Sequence, residues 1–480
     1  MLFSSSRPLW KLSFQIASAL AVGVLLRLVV GLHPNWWLAW LAPVPLLLLA
    51  FRFDGPEARW MVFVAALVGI SVNFHYRRLV FPLPTAIFAT AMQALVWTLV
   101  VLQARRLVMR YKAAWTVLAY PVLWVAVDTL ATELKDSGNE TSLAYTQVDC
   151  LPILQVASLF GVGGLLFLVT LVPSSLALAI AFGRSLRRGW LAYAGTILLV
   201  AAAISYGFSR IQHPVQGRAT AFGLVAIDDA IGPQASLSYM KSIWDAYDRH
   251  ISSLSAQGAE IVVLPEKIGL VTPATASQWQ QHLSGLAAHN HVWIEAGVGI
   301  DDGKGRVNQA WLFTPEGTLA ASYAKQHLSP GEQREYIPGH EFVVQSIQGH
   351  EYGLAICKDM FSAALGRAYG KREAAVMLVP AWNPTFEDAW MEGRDTLMRG
   401  VENGYAVVRV AREGFMTVSD AYGRILEEKE SKPLPGSVLL ARVPVADRVP
   451  TLYTQIGDLF GWTCVAAGAV LLLIGRRAPG

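Results

Sequence analysis

Cysteine is scarce in this chain: three residues in 480, Cys150, Cys357 and Cys464. No two of them form a CxxC pair or a metal-type spacing, which argues against a disulfide framework and a cysteine-based zinc site. Charge is scarce as well, at 15% of residues against 54% hydrophobic, and the mean hydropathy is +0.39. A soluble protein of this length needs more polar surface, so a membrane portion is expected. There is also no strong excess of one sign. The net charge is +4, and the basic residues sit in small clusters beside apolar runs, which suits membrane orientation and offers no stripe for nucleic acid. Repeats and low-complexity tracts are missing too.

What is abundant is apolar length, unevenly placed. Runs near 12–32, 36–51, 60–76, 84–103, 113–130, 161–182 and 189–207 each approach the span of a hydrocarbon core as a helix, and one more lies near 459–475. The first is too long for a signal peptide and lacks a small-residue cleavage site, so an uncleaved anchor is expected. Basic residues fall on every second connection: Arg7 and Lys11; Arg52 and Arg59; Arg105, Arg106, Arg110 and Lys112; Arg184, Arg187 and Arg188; Arg476 and Arg477. Placed inside, they put both termini in the cytoplasm and the remaining connections, including acidic Glu133 to Glu140, outside. Arg77 and Arg78 violate this count: either they face headgroups or a polar surface of the soluble part, or they are a mere local violation of the rule. Leu151 to Phe160 reads as a short interfacial helix, started by Pro152 and broken by Gly161, Gly163 and Gly164. Cys150 at its rim is taken as an unpaired thiol.

Residues 213–450 read as a soluble α/β domain between membrane parts at 1–212 and 451–480. After the polar linker HPVQGRAT come the strand candidates FGLVAI, EIVVLPE, VWIEAGVGI, QAWLFTPEGTLAASYAK, FVVQSI, YGLAICK, AAVMLVPAW and GYAVVRVAREG. Helical periodicity marks Tyr239 to Ala256, Gln278 to His289 and Trp390 to Glu402. Three apolar runs end in chemistry. YGLAI delivers Cys357, IVVLPE ends in Glu266, and a hairpin strand brings out Lys325. Lone cysteines are mostly small core hydrophobes and strand ends commonly carry solvated charges. A cysteine nucleophile, however, needs a base for its proton and a cation for its oxyanion, and Glu266 and Lys325 supply both.

In order, LPE, then YxKxHLxPxGE followed by EYIPG, then IC with a charged pair, resemble the Glu-Lys-Cys triad of the nitrilase, or carbon-nitrogen hydrolase, superfamily. YPVLWVAVDTL, LAYTQVDCLPILQVASLFGVGGLLFLV and the terminal YTQIGDLFGW extend the resemblance over nearly the whole chain to its membrane-embedded members, the apolipoprotein N-acyltransferases. The resemblance implies a nitrilase-like αββα sandwich inserted between about seven N-terminal transmembrane helices and one C-terminal one. It makes Glu266 the general base, Lys325 the oxyanion stabiliser and Cys357 the acylated nucleophile, with the backbone N–H of Lys358 completing the oxyanion hole. The superfamily's second glutamate is Glu335 by its following Tyr336 and Pro338, or Glu332 by its preceding Gly331; Glu335 is preferred.

The sequence departs from the family pattern around the site. Lys358 and Asp359 stand where tyrosine and glutamate are usual, PAWNPTF keeps Trp382 and Phe386 but changes the polar residues of the usual run, and Lys267 replaces a small residue. Lysines that point inward should lower the thiol pKa. Lys358, Trp382 and Phe386 are the substrate-side candidates, and Leu270, Trp382, Phe386, Trp390 and Met391 are candidates to line an acyl path. The implied reaction moves a fatty acyl chain from a phospholipid, through a cysteine thioester, to the N-terminal amine of diacylglyceryl-cysteine in a lipoprotein. The implied setting is a bacterial inner membrane with the domain facing the periplasm, a monomer, and no metal, cofactor or nucleic acid. The alternatives are a membrane-tethered amidase or nitrilase-type hydrolase with the same triad, and a catalytically silent relative acting as a binding module.

Overall fold

The computed structural model of the protein describes residues 9–135, 141–212, 217–232 and 234–476. Arg7, the end of the acidic loop to Glu140, residues 213–216 of the linker, and Arg477 lie outside them. Six helices among the described residues are long and apolar enough to cross a membrane: Leu9–Val30, Gly55–Val80, Leu83–Tyr111, Ala114–Leu134, Ala157–Phe182 and Gly189–Ile211. Two shorter apolar helices, Leu38–Arg52 and Leu459–Gly475, take up the remaining runs. The 36–51 run is thus a short helix, because a turn at Leu41 and Ala42 divides it and Pro43 opens a new first turn. Small residues bring the spans together: a Cβ added to Gly23 would lie 2.6 Å from the Cβ of Val68, and one on Gly69 would lie 2.7 Å from that of Leu26. Outward-facing residues such as Phe14, Ile197 and Leu198 stay exposed, as lipid-facing positions do.

The expected interfacial helix from Leu151 to Phe160 is differently divided. A single turn, Leu151–Leu154, precedes a helix that runs from Ala157 to Phe182 with non-helical dihedrals at Gly161. The break falls at Gly161, whereas Gly163 and Gly164 lie inside the helix.

The domain between the membrane parts has thirteen strands among the described residues: β1 (Arg218–Ala226), β2 (Ile261–Val263), β3 (Leu270–Val271), β4 (Trp293–Asp301), β5 (Arg306–Phe313), β6 (Leu319–Ala324), β7 (Val343–Ile347), β8 (His350–Leu354), β9 (Val376–Trp382), β10 (Ala406–Arg412), β11 (Phe415–Ser419), β12 (Ile425–Glu430) and β13 (Ser437–Val445). One sheet has the order β13-β1-β2-β4-β5-β6 with β3 beside β4, and the other has the order β12-β11-β10-β9-β8-β7. Strand alternation puts Phe222, Leu224, Ile261, Val263 and Leu312 against Leu354, Val376, Leu378, Val408 and Val410 of the opposite sheet. Each such side chain contributes roughly 2 kcal/mol by leaving water. The other face of the first sheet is covered by helices Leu237–Ala256 and Pro273–Asn290. The outer face of the second packs on Ala363–Gly370 and Ala389–Asn403. The architecture is a nitrilase-like αββα sandwich. Arg218 pairs with Val445, so the chain enters and leaves the sandwich at one corner, next to the membrane helices.

Helix Ala389–Asn403 joins the two halves. Trp390, Met391, Leu397, Met398 and Val401 belong to the membrane half's apolar cluster, while the same helix contacts β10 and β11. Ion pairs hold charged side chains of this helix: Glu392 with Arg409 of β10 at 3.1 Å, Arg394 with Glu428 at 2.5 Å, and Arg399 with Glu402 at 3.0 Å. Polar ties cross the same boundary, from Tyr76 Oη to Asp388 at 2.6 Å and from Gln155 Nε2 to the Tyr422 carbonyl at 2.8 Å.

Candidate active site

Glu266, Lys325, Cys357 and Trp382 leave the sandwich at the same edge. β2 is parallel to its neighbours and is followed by Leu264, Pro265 and Glu266; β8 and β9 are parallel and are followed by Cys357 and closed by Trp382. The backbone N–H of Glu266 donates to the Ala381 carbonyl at 3.2 Å, so the two sheets meet where the charged residues emerge. A side chain at position 297 would break this approach: a Cβ on Gly297 would be 2.5 Å from the Glu266 Cα. β8 itself stops at Leu354. Cys357 then opens the 3-10 turn Cys357–Phe361 with a φ of 48°, in the left-handed region that non-glycine residues rarely hold.

The side chains converge in a buried polar cluster. Glu266, Lys325 and Cys357 are 1%, 2% and 6% exposed. Lys325 Nζ donates to Glu266 Oε1 at 2.9 Å and to Glu332 Oε2 at 2.8 Å. Asn308 Nδ2 also bridges the two carboxylates, 2.5 Å from Glu266 and 2.8 Å from Glu332. Lys267 Nζ lies 2.6 Å from Glu332 Oε1 and 3.6 Å from Glu266 Oε1. Glu266 Oε2 is buried with no hydrogen-bond partner among the described residues. The thiol of Cys357 is directed at the Trp382 carbonyl, 3.6 Å away.

Glu335, preferred in the sequence reading, is not in this cluster. It is exposed and pairs with Arg306, whereas Glu332 takes the place beside Lys325. The reason is a turn: Glu335 N bonds to the Glu332 carbonyl and Ser329 N to the Glu332 carboxylate, so the loop folds on itself and carries Glu335 outward.

The electrostatics are those of an ion cluster beside a neutral thiol. Burial, and then the negative Glu266, push the Cys357 thiol well up, against the pull of Lys325. The expected lowering by neighbouring lysines is therefore reversed, because desolvation outweighs them. Burial alone would lower the Lys325 ammonium, but Glu266 and Glu332 hold it well above the usual lysine value. Burial likewise works against the Glu332 carboxylate, yet Lys325 and Lys267 hold it far below the usual range.

Lys358 is half-buried on the turn itself. Asp359 is fully buried and faces no solvent. Its Oδ1 accepts from the N–H groups of Gln326 and His327 at 3.0 and 2.7 Å, and its Oδ2 from Tyr323 Oη and Ile356 N at 2.8 and 3.0 Å. Trp382 and Phe386 are 36% and 43% exposed at the mouth. Lys267 and Arg412 lie over the Trp382 ring at 4.8 and 4.6 Å. Behind the turn, Arg409 Nη2 donates to Asn383 Oδ1 at 2.9 Å and to Glu392 at 3.1 Å, which accounts for the asparagine in PAWNPTF. Asn308, Glu392 and Arg409 were not singled out from the sequence. Asn308 sits in β5 beside the equally polar Gln309, so nothing in the local pattern marks it.

Of the five acyl-path candidates, Met391 alone lines a cavity of about 480 Å³ in the membrane half, together with Phe88, Met92, Trp97, Trp124 and Arg77. Trp390 packs in the apolar cluster beside it, and Leu270 belongs to β3. Arg77 is buried, donating to Thr90 at 2.9 Å and to Gln93.

Two family models match the chain: apolipoprotein N-acyltransferase N-terminal domain over residues 22–175, and carbon-nitrogen hydrolase over residues 232–442. The chain is 27% identical to an apolipoprotein N-acyltransferase of Geobacter metallireducens, across 96% of this chain and 95% of that one. It is 26% identical to the apolipoprotein N-acyltransferase of Bradyrhizobium diazoefficiens, across 70% and 69%. It is 30% identical to human omega-amidase NIT2, across 44% of this chain and 88% of that one.

Proposed function

The chain belongs to the apolipoprotein N-acyltransferase family, and on that premise we propose that it is a membrane acyltransferase that N-acylates lipoproteins from a phospholipid donor with Glu266, Lys325 and Cys357 as its catalytic residues. The observation that carries the reading is Lys325, held between Glu266 and Glu332 beside a buried thiol whose own burial keeps it protonated. Such a thiol needs a base in contact with the reaction, and the unengaged Oε2 of Glu266 supplies it.

In the first step Glu266 Oε2 takes the thiol proton as Cys357 Sγ attacks the acyl ester carbonyl of the phospholipid. Lys325 Nζ and the Lys358 N–H hold the oxyanion. The C–O bond then breaks, Glu266 returns the proton to the leaving glyceryl oxygen, and lysophospholipid departs from the thioester. In the second step the α-amine of a diacylglyceryl-cysteine attacks the thioester, Glu266 accepts its proton, and as the C–S bond breaks Glu266 passes that proton to the departing sulfur, regenerating the thiol. Glu332, in place of Glu335, keeps Lys325 charged and oriented. The apolar cavity beside Met391 has the chemistry to take an acyl chain, which spares moving that chain into water. The alternating basic connections support a bacterial inner-membrane location with the sandwich facing the periplasm.

Incubating the purified protein with a fluorescent-acyl phospholipid tests the reading. A Cys357-dependent acyl-enzyme that persists until a diacylated lipopeptide is added is the expected result. Rapid release of free fatty acid without lipopeptide would indicate a hydrolase, and labelling retained in Cys357→Ala would overturn the site.

A further inference from the structure

We propose that Lys267 is a second resident cation of this site, a positioning residue that holds Glu332 and the Trp382 ring and sets the acid limit of acyl transfer. The proposal rests on the Glu266-Lys325-Cys357 reading above. Lys267 follows Glu266 with a φ of 49°, left-handed for a non-glycine residue. That conformation is held by Arg412, whose Nη1 donates to the Lys267 carbonyl at 2.9 Å. It turns the side chain inward, where the side chain is 12% exposed and its ammonium meets Glu332 at 2.6 Å and Glu266 at 3.6 Å. The same ammonium lies 5.0 Å from the Tyr336 ring centroid and 4.8 Å from that of Trp382, and the Trp382 carbonyl is the group the nucleophile's thiol contacts.

One side chain therefore bridges three segments: the loop after Lys325, the end of β9 and the strand end carrying the base. It also changes the charge of the cluster. Two carboxylates with Lys325 alone carry a net negative charge, and a buried like-charged pair takes up a proton readily; Lys267 brings the sum to zero. The charged and titratable groups facing the carboxylate pair are Lys267 from its own loop, Lys325 from the end of β6, Cys357 from the turn, Tyr336 from the following loop, Arg412 from β10 and Glu392 from the joining helix. Lys267 is the member of this set that touches both carboxylates along with Lys325.

The test is the single-turnover rate of Cys357 acylation by a fluorescent-acyl phospholipid as a function of pH, in the full-length protein. Lys267→Met and Lys267→Gln remove the charge; the glutamine keeps a donor for Glu332, which guards against loss of folding. Both are expected to move the acid limb up by about one pH unit, so that acylation below the limb falls about tenfold, while Lys267→Arg restores the wild-type limb. A folded neutral variant, judged by its thermal transition, with the wild-type acid limb would overturn the role of Lys267. Labelling that survives Cys357→Ala would instead overturn the catalytic reading on which it rests.

Discussion

The carboxylate of Asp359 accepts the backbone N–H of His327 at 2.7 Å, which ties the nucleophile's turn to the loop that follows Lys325. Asp359→Asn keeps one oxygen but turns an amide N–H2 toward backbone N–H groups that only donate, that of Ile356 on one side or those of Gln326 and His327 on the other. Hydrogen bonds to a buried charge are worth about 1.5–3 kcal/mol each. The expected loss is about 2–4 kcal/mol of stability, read as a lower thermal midpoint, with slower acyl-enzyme formation. An unchanged midpoint would show that the turn does not depend on this tie.

Glu332 and Glu335 separate cleanly. Glu332→Gln leaves Lys325 with one carboxylate and should slow acyl-enzyme formation about 100-fold, or about 2.7 kcal/mol in barrier. Glu335→Gln removes an exposed pair with Arg306, which is worth about 0–1 kcal/mol, so its rate should stay within about twofold of wild type. The reverse ranking would restore Glu335 to the site.

Asn308 places one amide between two carboxylates. Asn308→Asp sets a third negative group against them, and both the thermal midpoint and the acylation rate should fall, the rate by more than about tenfold. Asn308→Ala removes the amide without adding a charge and should be milder in rate. Equal rates for the two variants would mean that charge repulsion does not matter there.

Glu295 on β4 is fully buried, and neither of its oxygens has a hydrogen-bond partner among the described residues. Burial alone holds this carboxyl well above its usual value. A raised folded-state pKa means that the folded protein binds the proton more tightly than the unfolded chain. Its contribution to stability is full below the unfolded value of about 4.3 and is lost as pH rises through the folded value. Glu295→Gln should therefore flatten the decline of the thermal midpoint between acidic and neutral pH. A decline as steep as in wild type would assign it to other groups.

The long apolar helices and the strands of the sandwich were legible because solvent enforces their patterns: a helix long and apolar enough to cross lipid is apolar along its length, and strands facing a sheet interior alternate. All eight strand candidates lie on strands of the sandwich, and the three helices were found to within a few residues. β3, the two-residue strand, and β11 to β13 were not. β12 in particular, ILEEKE, is an edge strand exposed along much of its length, so no apolar pattern marks it. Glu266, Lys325 and Cys357 were legible because each ends an apolar run.

By itself the sequence determined the long apolar helices, the strands of the sandwich, and the order of the three residues that meet at its edge. Those follow from local composition and period. Only the tertiary structure decided that Glu332 and not Glu335 reaches Lys325, that Lys267 turns inward, that Asp359 is a structural anchor, and that burial keeps the thiol protonated. These depend on how a loop folds back and on which buried charges lie within a few ångströms. Long-range contacts such as Lys267 with Trp382 and Asp359 with His327 set that geometry, and no neighbouring stretch of sequence encodes them alone.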